Sequence, residues 1–578
     1  MSLSMSRRAF VRISAQGAAV ASAGSFFVTE SALVPKSANS YQPIFEILDR
    51  FIEQYLRDMN APGLTFVMAD RSGVQRVVCY GFSDVETKVP VNPNQLFEIG
   101  SISKSFLAIC VLQLHDEGKL DLQRPIAEYL PWFRVESSFA PITTHHLLTH
   151  TAGIEGNAPV FLSDPAAKHR AANPPGEYFH YCNTGYALLG HLLTTLDGKP
   201  LGECFRARVF EQLGMTTSEP VITFDLRERL AKNYQAFRAD RPYARFDRLA
   251  EAPGIVMTDA SGCIAATPHD MGLYAKMIAS HGAGSKSRVL SEGAFALFSK
   301  RHIAAEEFGP KASYGYGIAV DTLDDHTVLR HTGGMVSFAS ALQVDIDEGL
   351  GAFASINAMQ GYRPNPVAQY ALQLMRAHRA GKPLPEAPKI TPATFIENPK
   401  QYAGVFTTLD GKKWEFQAEG TGLYLMQAGK RIPIETVVGS QEMMVLRAPG
   451  LDRYALTFGR EKPDDPKSRV VEAAWGPLWF LNEAHSGPKT FDYPREWDRY
   501  VGHYRNENPW IGSMRVVIRK GKLSVDGLVP LEPTAAEGYF YFRDEPHSPE
   551  WVRFHDIVNE KAMRVKVSGE DLWRVSAE

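Results

Sequence analysis

The chain has 578 residues, a formal net charge of −3, and 44% hydrophobic and 22% charged residues, which is typical of a soluble globular protein with more than one domain. A pI near 6.6 without a basic cluster argues against nucleic acid as a partner. Beyond the first 32 residues no stretch approaches the roughly 20 apolar residues of a membrane span, so no stable membrane insertion is expected.

The first 32 residues resemble an export signal. Arg7 and Arg8 precede a mildly apolar stretch, residues 13–28, as in signals of the twin-arginine pathway. A disordered tail with two chance arginines is the alternative. The five cysteines are scattered and odd in number, which is not the pattern of a disulfide framework and fits a protein exported in a folded state. We therefore expect a periplasmic protein.

A serine and a lysine lie three positions apart where a helix is predicted to begin. Ser101 and Lys104 open a segment with apolar residues at helical spacing that ends at Gly118, so both side chains are predicted to share one helix face. An amine accepts the proton of a serine hydroxyl once burial or nearby positive charge lowers its pKa. The alternative is a helix-opening serine beside a solvated lysine. A second Ser-x-x-Lys, at residues 486–489, lies in a Gly/Pro context that does not start a helix.

Two later segments carry polar residues at the ends of predicted elements. Tyr181 and Asn183 precede an apolar helix, and His331, Gly333 and Gly334 lie in a His-Thr-Gly-Gly run on a predicted strand. Each has a structural alternative: Tyr181 covers the helix, Asn183 caps it, and His331 is satisfied by local hydrogen bonds.

Three close histidines, His145, His146 and His150, suggest a metal site at first sight. No cysteine or carboxylate lies at ligand spacing from them, so the sequence predicts no metal and no cofactor. Cys182, inside the Tyr-x-Asn motif, is predicted to be a small buried residue rather than a reactive thiol.

Together with the Leu-Leu-Thr-His-Thr-Ala-Gly segment at residues 147–153, these motifs occur in an order that closely resembles the serine β-lactamase and penicillin-recognising superfamily. The resemblance is strongest to the branch of class C β-lactamases, D-aminopeptidases and esterases. It covers roughly residues 41–380. It implies an α/β (α+β) catalytic domain, in which an antiparallel sheet is flanked by helices.

The resemblance also implies the role of each motif residue. Ser101 would be the acylated nucleophile, and Lys104 would take its proton. Tyr181 would deliver a proton to the leaving group, and Asn183 would hydrogen-bond the substrate amide. The backbone N–H groups of Ser101 and Gly334 would form an oxyanion hole.

The residue at position 331 departs from the β-lactamases of this group, which usually carry lysine there. Lysine is a fixed cation that helps hold a carboxylate, whereas histidine supplies less charge at pH 7. His331 therefore shifts the expectation toward the aminopeptidases and esterases. Gly333 and Gly334 fit a strand whose backbone approaches a substrate closely.

The C-terminal part is predicted to hold two copies of one small domain. Pro-rich residues 381–395 read as a linker, followed by short alternating strands at residues 396–485 and 495–578. Tyr402 recurs as Tyr500, 98 positions later, and Phe458 as Phe554, 96 positions later, which indicates a repeat. Each copy is long enough for a lipocalin-like antiparallel barrel, a layout similar to the three-domain D-aminopeptidases.

The second copy is predicted to carry a charged loop, residues 543–550, that is longer than the turn at residues 448–450 of the first copy. In the D-aminopeptidases that the chain resembles, a barrel loop reaches the active site and an acidic residue there helps hold the substrate's amino group. Asp544 and Glu545 are therefore candidate specificity residues. The alternative is a solvated hairpin loop.

These patterns favour an exported serine peptidase or amidase that cleaves small peptides through an acyl-enzyme on Ser101. It would be most like a D-aminopeptidase, with non-standard or linearised cyclic peptides among its candidate substrates. The alternatives are a carboxylesterase, a β-lactamase or penicillin-binding DD-peptidase, and a non-catalytic binding protein of the same fold. The expected partner is a small peptide or ester, and a homo-oligomer is left open.

Overall fold

The structure is a computed structural model that describes residues 27–30, 41–162, 168–284, 287–359, 362–437, 440, 442–510, 512–543 and 546–575. Arg7, Arg8, Asp544 and Glu545 lie outside the described residues. The described residues divide into two compact units: those within 27–235 and 251–389, and those within 236–250 and 390–575. Within the described ranges, no helix combines the length and apolar character that crossing a bilayer requires. The predicted domain boundaries stay predictions.

The strands that precede the two C-terminal barrels are, in chain order, β1 Val28–Glu30, β2 Gly63–Asp70, β3 Gly73–Asp84, β4 Val89–Pro90, β5 Phe97–Glu98, β6 Val135–Glu136, β7 His169–Arg170, β8 Tyr234–Ala236, β9 Leu249–Glu251, β10 Ala265–Ala266, β11 Ile303–Ala304, β12 Ser313–Tyr314, β13 Ala319–Leu323, β14 His326–Gly334, β15 Ala339–Asp345 and β16 Leu350–Ile356. The helices are α1 Gln42–Met59, α2 Ser103–Asp116, α3 Ile126–Tyr129, α4 Thr144–Leu148, α5 Asn183–Asp197, α6 Leu201–Phe205, α7 Glu211–Leu213, α8 Pro268–Ala279, α9 Glu292–Phe298 and α10 Asn365–Arg379.

The first unit is built on one antiparallel sheet. Its strand order is β1-β3-β2-β16-β15-β14-β13-β12-β11, with β4 paired to β3. Every residue of β2, β15 and β16 is buried, so the centre of the sheet is covered on both faces. Helix α8 packs on β2, β3, β15 and β16, and α10 packs on β15, β16 and α1. The predicted antiparallel sheet flanked by helices is confirmed.

Helix α2 begins two residues later than the sequence suggests. Residues Gly100–Ile102 form a 3-10 turn, and α2 follows from Ser103 with a nearly continuous run of buried residues through Leu112. A helix that is apolar all round belongs in a core. Ser101 therefore lies in the tight turn, while Lys104 lies in the first turn of the buried helix.

Strand β14 lies directly against that turn because glycines remove the side chains between them. A Cβ added to Gly333 would lie 1.8 Å from the carbonyl oxygen of Ile99. Gly100 has φ +53°, and a Cβ there would lie 2.9 Å from the backbone nitrogen of Gly334. Only glycine adopts this conformation without strain and leaves this space. The backbone around Gly334 thus reaches the turn that carries Ser101.

The second unit contains two closed eight-stranded antiparallel barrels, as predicted. The strands of the first barrel are β17 Gly404–Thr407, β18 Lys413–Glu419, β19 Gly422–Gln427, β20 Lys430–Thr436, β21 Met444–Leu446, β22 Leu456–Arg460, β23 Val470–Trp475 and β24 Leu478–Leu481. Those of the second are β25 Gly502–Arg505, β26 Ser513–Arg519, β27 Lys522–Val525, β28 Val529–Pro533, β29 Tyr539–Phe542, β30 Trp551–Val558, β31 Lys561–Val567 and β32 Glu570–Arg574.

The same aromatic contact occurs in both barrels. The rings of Tyr402 and Phe458 lie 4.7 Å apart, and those of Tyr500 and Phe554 lie 4.4 Å apart. These are the pairs that recur in the sequence, so the two copies share a packing contact as well as a spacing.

The loop comparison made from the sequence is wrong in one respect. In the first barrel the loop between β21 and β22 runs over residues 447–455, and in the second the loop between β29 and β30 runs over residues 543–550. The two loops are therefore similar in length. The sequence suggested a short turn at Pro449-Gly450, but the next strand resumes only at Leu456.

Residues 236–250 contact the barrels through ion pairs. Asp240 accepts hydrogen bonds from Arg515 at the start of the second barrel. Arg241 lies 2.7 Å from Asp452 in the first barrel, and Asp247 pairs with Arg447. The Arg515 side chain is 5% exposed and that of Asp240 16%, so loss of Asp240 would leave a largely buried charge without this partner.

We expect Gly333→Ala to lower the stability of the first unit by about 3 kcal/mol, because the added methyl group overlaps a backbone carbonyl that has little freedom to move. The measurement is the melting transition by scanning calorimetry. Gly254→Ala is the matched control, because a Cβ at Gly254 meets nothing within 4 Å. Equal melting temperatures for both variants would contradict the close approach of β14.

Candidate active site

The Lys104 amine lies in the centre of a cluster of oxygen atoms. Its Nζ lies 3.2 Å from Ser101 Oγ, 2.8 Å from Asn183 Oδ1 and 2.6 Å from the carbonyl oxygen of Ser261. Lys104 is fully buried. The structure therefore brings together Ser101 and Lys104 as the sequence predicts, and adds a backbone carbonyl that no motif revealed.

Asn183 is held at the first position of α5 by its neighbours. Its Oδ1 accepts from Lys104, and its Nδ2 donates to Asn157 Oδ1 over 2.6 Å. Its backbone N–H donates to the Gly156 carbonyl. The residue that caps α5 is Cys182, whose sulfur accepts from the Gly185 N–H, so the alternative of Asn183 as N-cap is wrong.

Tyr181 places its aromatic ring beside the Lys104 amine. The Nζ atom of Lys104 lies 5.0 Å from the centre of the Tyr181 ring and 5.5 Å from that of Tyr186. Such a distance is favourable for an ammonium over an aromatic face. Burial raises the pKa of Tyr186 well above its ordinary value, and its hydroxyl donates to the Leu148 carbonyl over 2.7 Å.

His331 is buried on β14, and hydrogen bonds fix its ring. Nδ1 lies 2.7 Å from the Thr332 carbonyl, and because a carbonyl only accepts, Nδ1 carries a proton. Nε2 lies 2.9 Å from the Tyr314 hydroxyl, which donates to it when the imidazole is neutral. His331 thus lies beside Tyr181, with ring centres 6.2 Å apart.

Several residues of this site carried no signal in the sequence. Asn157 lies in a loop without a motif, and Ser261 contributes only its carbonyl oxygen. Tyr314 is the last residue of β12 and carries no motif, although its hydroxyl hydrogen-bonds to His331. Glu98 belongs to the run that includes Ser101, yet its burial was visible only in the structure.

Glu98 is a buried carboxyl group three residues before Ser101. It is 1% exposed, and neither carboxyl oxygen has a hydrogen-bond partner within the part of the chain that the structure describes. Burial raises its pKa from 4.5 to about 8, since an unsolvated carboxylate is costly. At pH 7 Glu98 is therefore mainly a neutral acid.

One group of side chains in the described ranges has the arrangement of a metal site, namely His326, Asp345 and Asp347, whose ligand atoms lie within 4.8 Å of one another. Arg376 Nε lies 3.2 Å from Asp345 Oδ2, so this cluster already contains a cation. The group lies at the opposite end of β14 from Gly334. It does not belong to the site around Ser101.

Comparison with known proteins agrees with this geometry. The family model described as Beta-lactamase matches residues 48–375, which include Ser101, Lys104, Tyr181, Asn183 and His331. The chain belongs to the beta-lactamase family. Beta-lactamases, penicillin-binding proteins and an esterase are among the proteins to which the chain is similar, and the resemblance stated from the sequence is confirmed.

Two curated relatives illustrate the range of the family. Penicillin-binding protein 4 of Amycolatopsis lactamdurans is 30% identical over 226 residues, which cover 36% of this chain and 58% of that protein. Esterase EstB of Burkholderia gladioli is 29% identical over 194 residues, 29% of this chain and 49% of the esterase. The chain thus spans about half the length of these relatives.

A solved structure extends the likeness of fold beyond the catalytic region. The octameric penicillin-binding protein homologue from Pyrococcus abyssi superposes with a TM-score of 0.52 at 23% identity, covering 76% of this chain and 99% of that one. At this identity the match concerns the fold.

We expect Glu98→Gln to change the pH dependence of stability. Between pH 4.5 and about 8 the folded protein keeps a proton on Glu98 that the unfolded chain has released. The wild type therefore loses stability relative to the variant as the pH rises through this window, by up to about 1.4 kcal/mol per pH unit. Calorimetric unfolding at pH 5, 7 and 9 measures the difference.

The control is Glu46→Gln, because the Glu46 side chain is 84% exposed. This variant should follow the wild type at each pH. Parallel curves for Glu98→Gln and the wild type would show that the Glu98 carboxyl is ionised in the folded protein at neutral pH.

Proposed function

We propose that this protein is a serine peptidase or amidase that cleaves small peptides through an acyl-enzyme on Ser101. The observation that supports this most is the placement of the Lys104 amine between Ser101 Oγ, Asn183 Oδ1 and the Ser261 carbonyl. The remaining contacts of the site fit the same chemistry.

Lys104 acts as the base in this proposal. A neutral amine has two N–H groups and one lone pair. The two shorter contacts, to Asn183 Oδ1 and the Ser261 carbonyl, engage the two N–H groups, because these oxygens only accept. The lone pair then faces the Ser101 hydroxyl, which donates its proton as it attacks the substrate carbonyl.

The oxyanion that forms on attack is bound by backbone N–H groups of Ser101 and Gly334. The glycine-lined approach of β14 to the Gly100–Ile102 turn supports this. Backbone donors held by a buried strand and turn need no rearrangement as charge develops. Gly333 serves by leaving room for that approach.

Tyr181 delivers the proton to the leaving group. Its ring centre lies 5.0 Å from the Lys104 amine, which in this proposal has taken the proton of Ser101. An amide nitrogen leaves only when it is protonated, which gives this residue its importance for peptide substrates.

His331 supports a substrate that needs no fixed cation at this position. Its ring is fixed by the Thr332 carbonyl and the Tyr314 hydroxyl, and a histidine supplies less charge at pH 7 than the lysine usual at this position. This favours a D-aminopeptidase-like reaction over β-lactam hydrolysis. Asp544 and Glu545 remain the proposed contacts for a substrate amino group.

Ester hydrolysis is the second candidate, and the likeness to Esterase EstB favours it. The same nucleophile, base and oxyanion donors serve esters and amides. The two substrate classes differ in how far the leaving group must be protonated. Which substrate is preferred depends on the loops around the site.

We expect Ser101→Ala to lower turnover of every substrate by more than about 1000-fold, because the nucleophile is lost. The test is a screen of D- and L-aminoacyl amides, short peptides, esters and a labelled penicillin with both proteins. Mass spectrometry of the intact protein should show an acyl adduct on the wild type and none on the variant. An adduct that persists on Ser101→Ala would rule out Ser101 as the nucleophile.

Tyr181→Phe separates amide from activated-ester hydrolysis. Loss of the general acid should lower amide turnover by about 100-fold to 10,000-fold, whereas a nitrophenyl ester, whose leaving group needs no proton, should lose less than about 10-fold. The matched control is Tyr178→Phe, three residues earlier in the same segment. Equal losses for both substrate classes would remove Tyr181 from proton delivery.

A further inference from the structure

His150 adopts a backbone conformation that a histidine rarely takes. It follows α4 with φ +58°, in the left-handed region, and it is 1% exposed. A buried residue with a side chain keeps such a conformation only when its surroundings impose it, and these outliers concentrate at functional sites. The contacts of His150 show what the conformation achieves.

His150 holds the chain on both sides of Tyr181. The N–H of His180 donates to the His150 carbonyl oxygen over 2.8 Å, and the N–H of Cys182 donates to His150 Nδ1 over 2.9 Å. One residue thus binds the backbone N–H groups of the two residues that flank Tyr181, using its carbonyl oxygen for one and its ring for the other. The left-handed conformation turns both acceptors toward the same segment.

The imidazole also packs against the Tyr181 ring. The ring centres of His150 and Tyr181 lie 4.3 Å apart with a tilt of 32°. The His150 imidazole also contacts two other rings: its centre lies 4.8 Å from that of Tyr186 and 4.8 Å from that of Tyr314. Tyr186 is fully buried, so the imidazole has a firm support behind it.

The hydrogen bond from Cys182 also sets the tautomer of His150. Nδ1 accepts from a backbone N–H, so it carries no proton, and in the neutral ring the proton is on Nε2. The Cys182 N–H therefore requires a hydrogen-bond acceptor at the Nδ1 position, two bonds from Cβ of residue 150.

We infer that His150 is a positioning residue that holds the Tyr181 phenol where it transfers a proton to the leaving group. This rests on the proposed function, because it assigns Tyr181 the role of general acid. His150 does not contact the reacting atoms. It acts by fixing the backbone and the ring plane of Tyr181, and small displacements of a catalytic group cost large factors in rate.

The inference predicts an effect that depends on the leaving group. His150→Ala should lower turnover of an ethyl ester by about 100-fold but turnover of the nitrophenyl ester of the same acid by less than about 10-fold, with KM changed by less than about 3-fold. A residue needed only for folding would lower both activities equally. Steady-state kcat and KM on the two esters, with circular dichroism and melting curves, measure this.

Two conservative variants make the test sharper. In His150→Asn the amide Oδ1 takes the place of Nδ1, and asparagine tolerates the left-handed conformation, so ethyl ester turnover should recover to within about 10-fold of the wild type. In His150→Gln the acceptor is one bond further out, and the activity should resemble that of His150→Ala. A variant His150→Gln that is as active as His150→Asn would overturn the role of the Nδ1 contact.

The double variant with Tyr181→Phe separates this inference from the proposed function. When Tyr181→Phe shows the leaving-group effect, adding His150→Ala should cost the ethyl ester little more, because both changes remove the same step. A Tyr181→Phe variant with the effect and a His150→Ala variant without it overturns the positioning role alone. A Tyr181→Phe variant without the effect overturns the proton delivery and the inference with it.

Discussion

The structure of the first unit depends on one buried amine. An ammonium or amine removed from water is costly unless oxygen atoms take over its hydration, and Lys104, fully buried, has three such partners. Each comes from a different part of the chain: Ser101 from the turn before α2, Asn183 from the start of α5, and a carbonyl from Ser261. The elements are therefore fixed relative to one another by the same contacts on which the proposed activation of Ser101 rests.

Burial favours the uncharged forms of two side chains in the first unit. The pKa of Glu98 is raised to about 8 and that of Tyr186 is raised well above its ordinary value, in both cases mainly because their charged forms are poorly solvated. The ring of His331 is held by the Thr332 carbonyl at Nδ1 and the Tyr314 hydroxyl at Nε2. The Tyr186 phenol, whose ring centre lies 5.5 Å from Lys104 Nζ, therefore stays neutral beside the amine.

The sequence predicts the parts of this site that depend on side-chain type and misses those that depend on backbone position. Ser101, Lys104, Tyr181, Asn183 and His331 lie in short motifs whose order is informative, and the structure brings them together. The carbonyl of Ser261 has no residue signature, because any residue supplies one. Asn157 lies in a loop whose path no periodicity defines, and the cap of α5 proved to be Cys182 because its sulfur reaches the Gly185 N–H. The barrels were predictable because strand alternation and a repeat agree.

Residues 236–250 lie within the span matched by the catalytic family and nevertheless belong to the compact unit of the barrels. Charged side chains of this segment form ion pairs with Arg515, Asp452 and Arg447. A chain shortened after residue 389 would keep this segment and lose Arg515, Asp452 and Arg447 as its ion-pair partners. Removal of the barrels would therefore alter the surroundings of a segment that lies inside the family match.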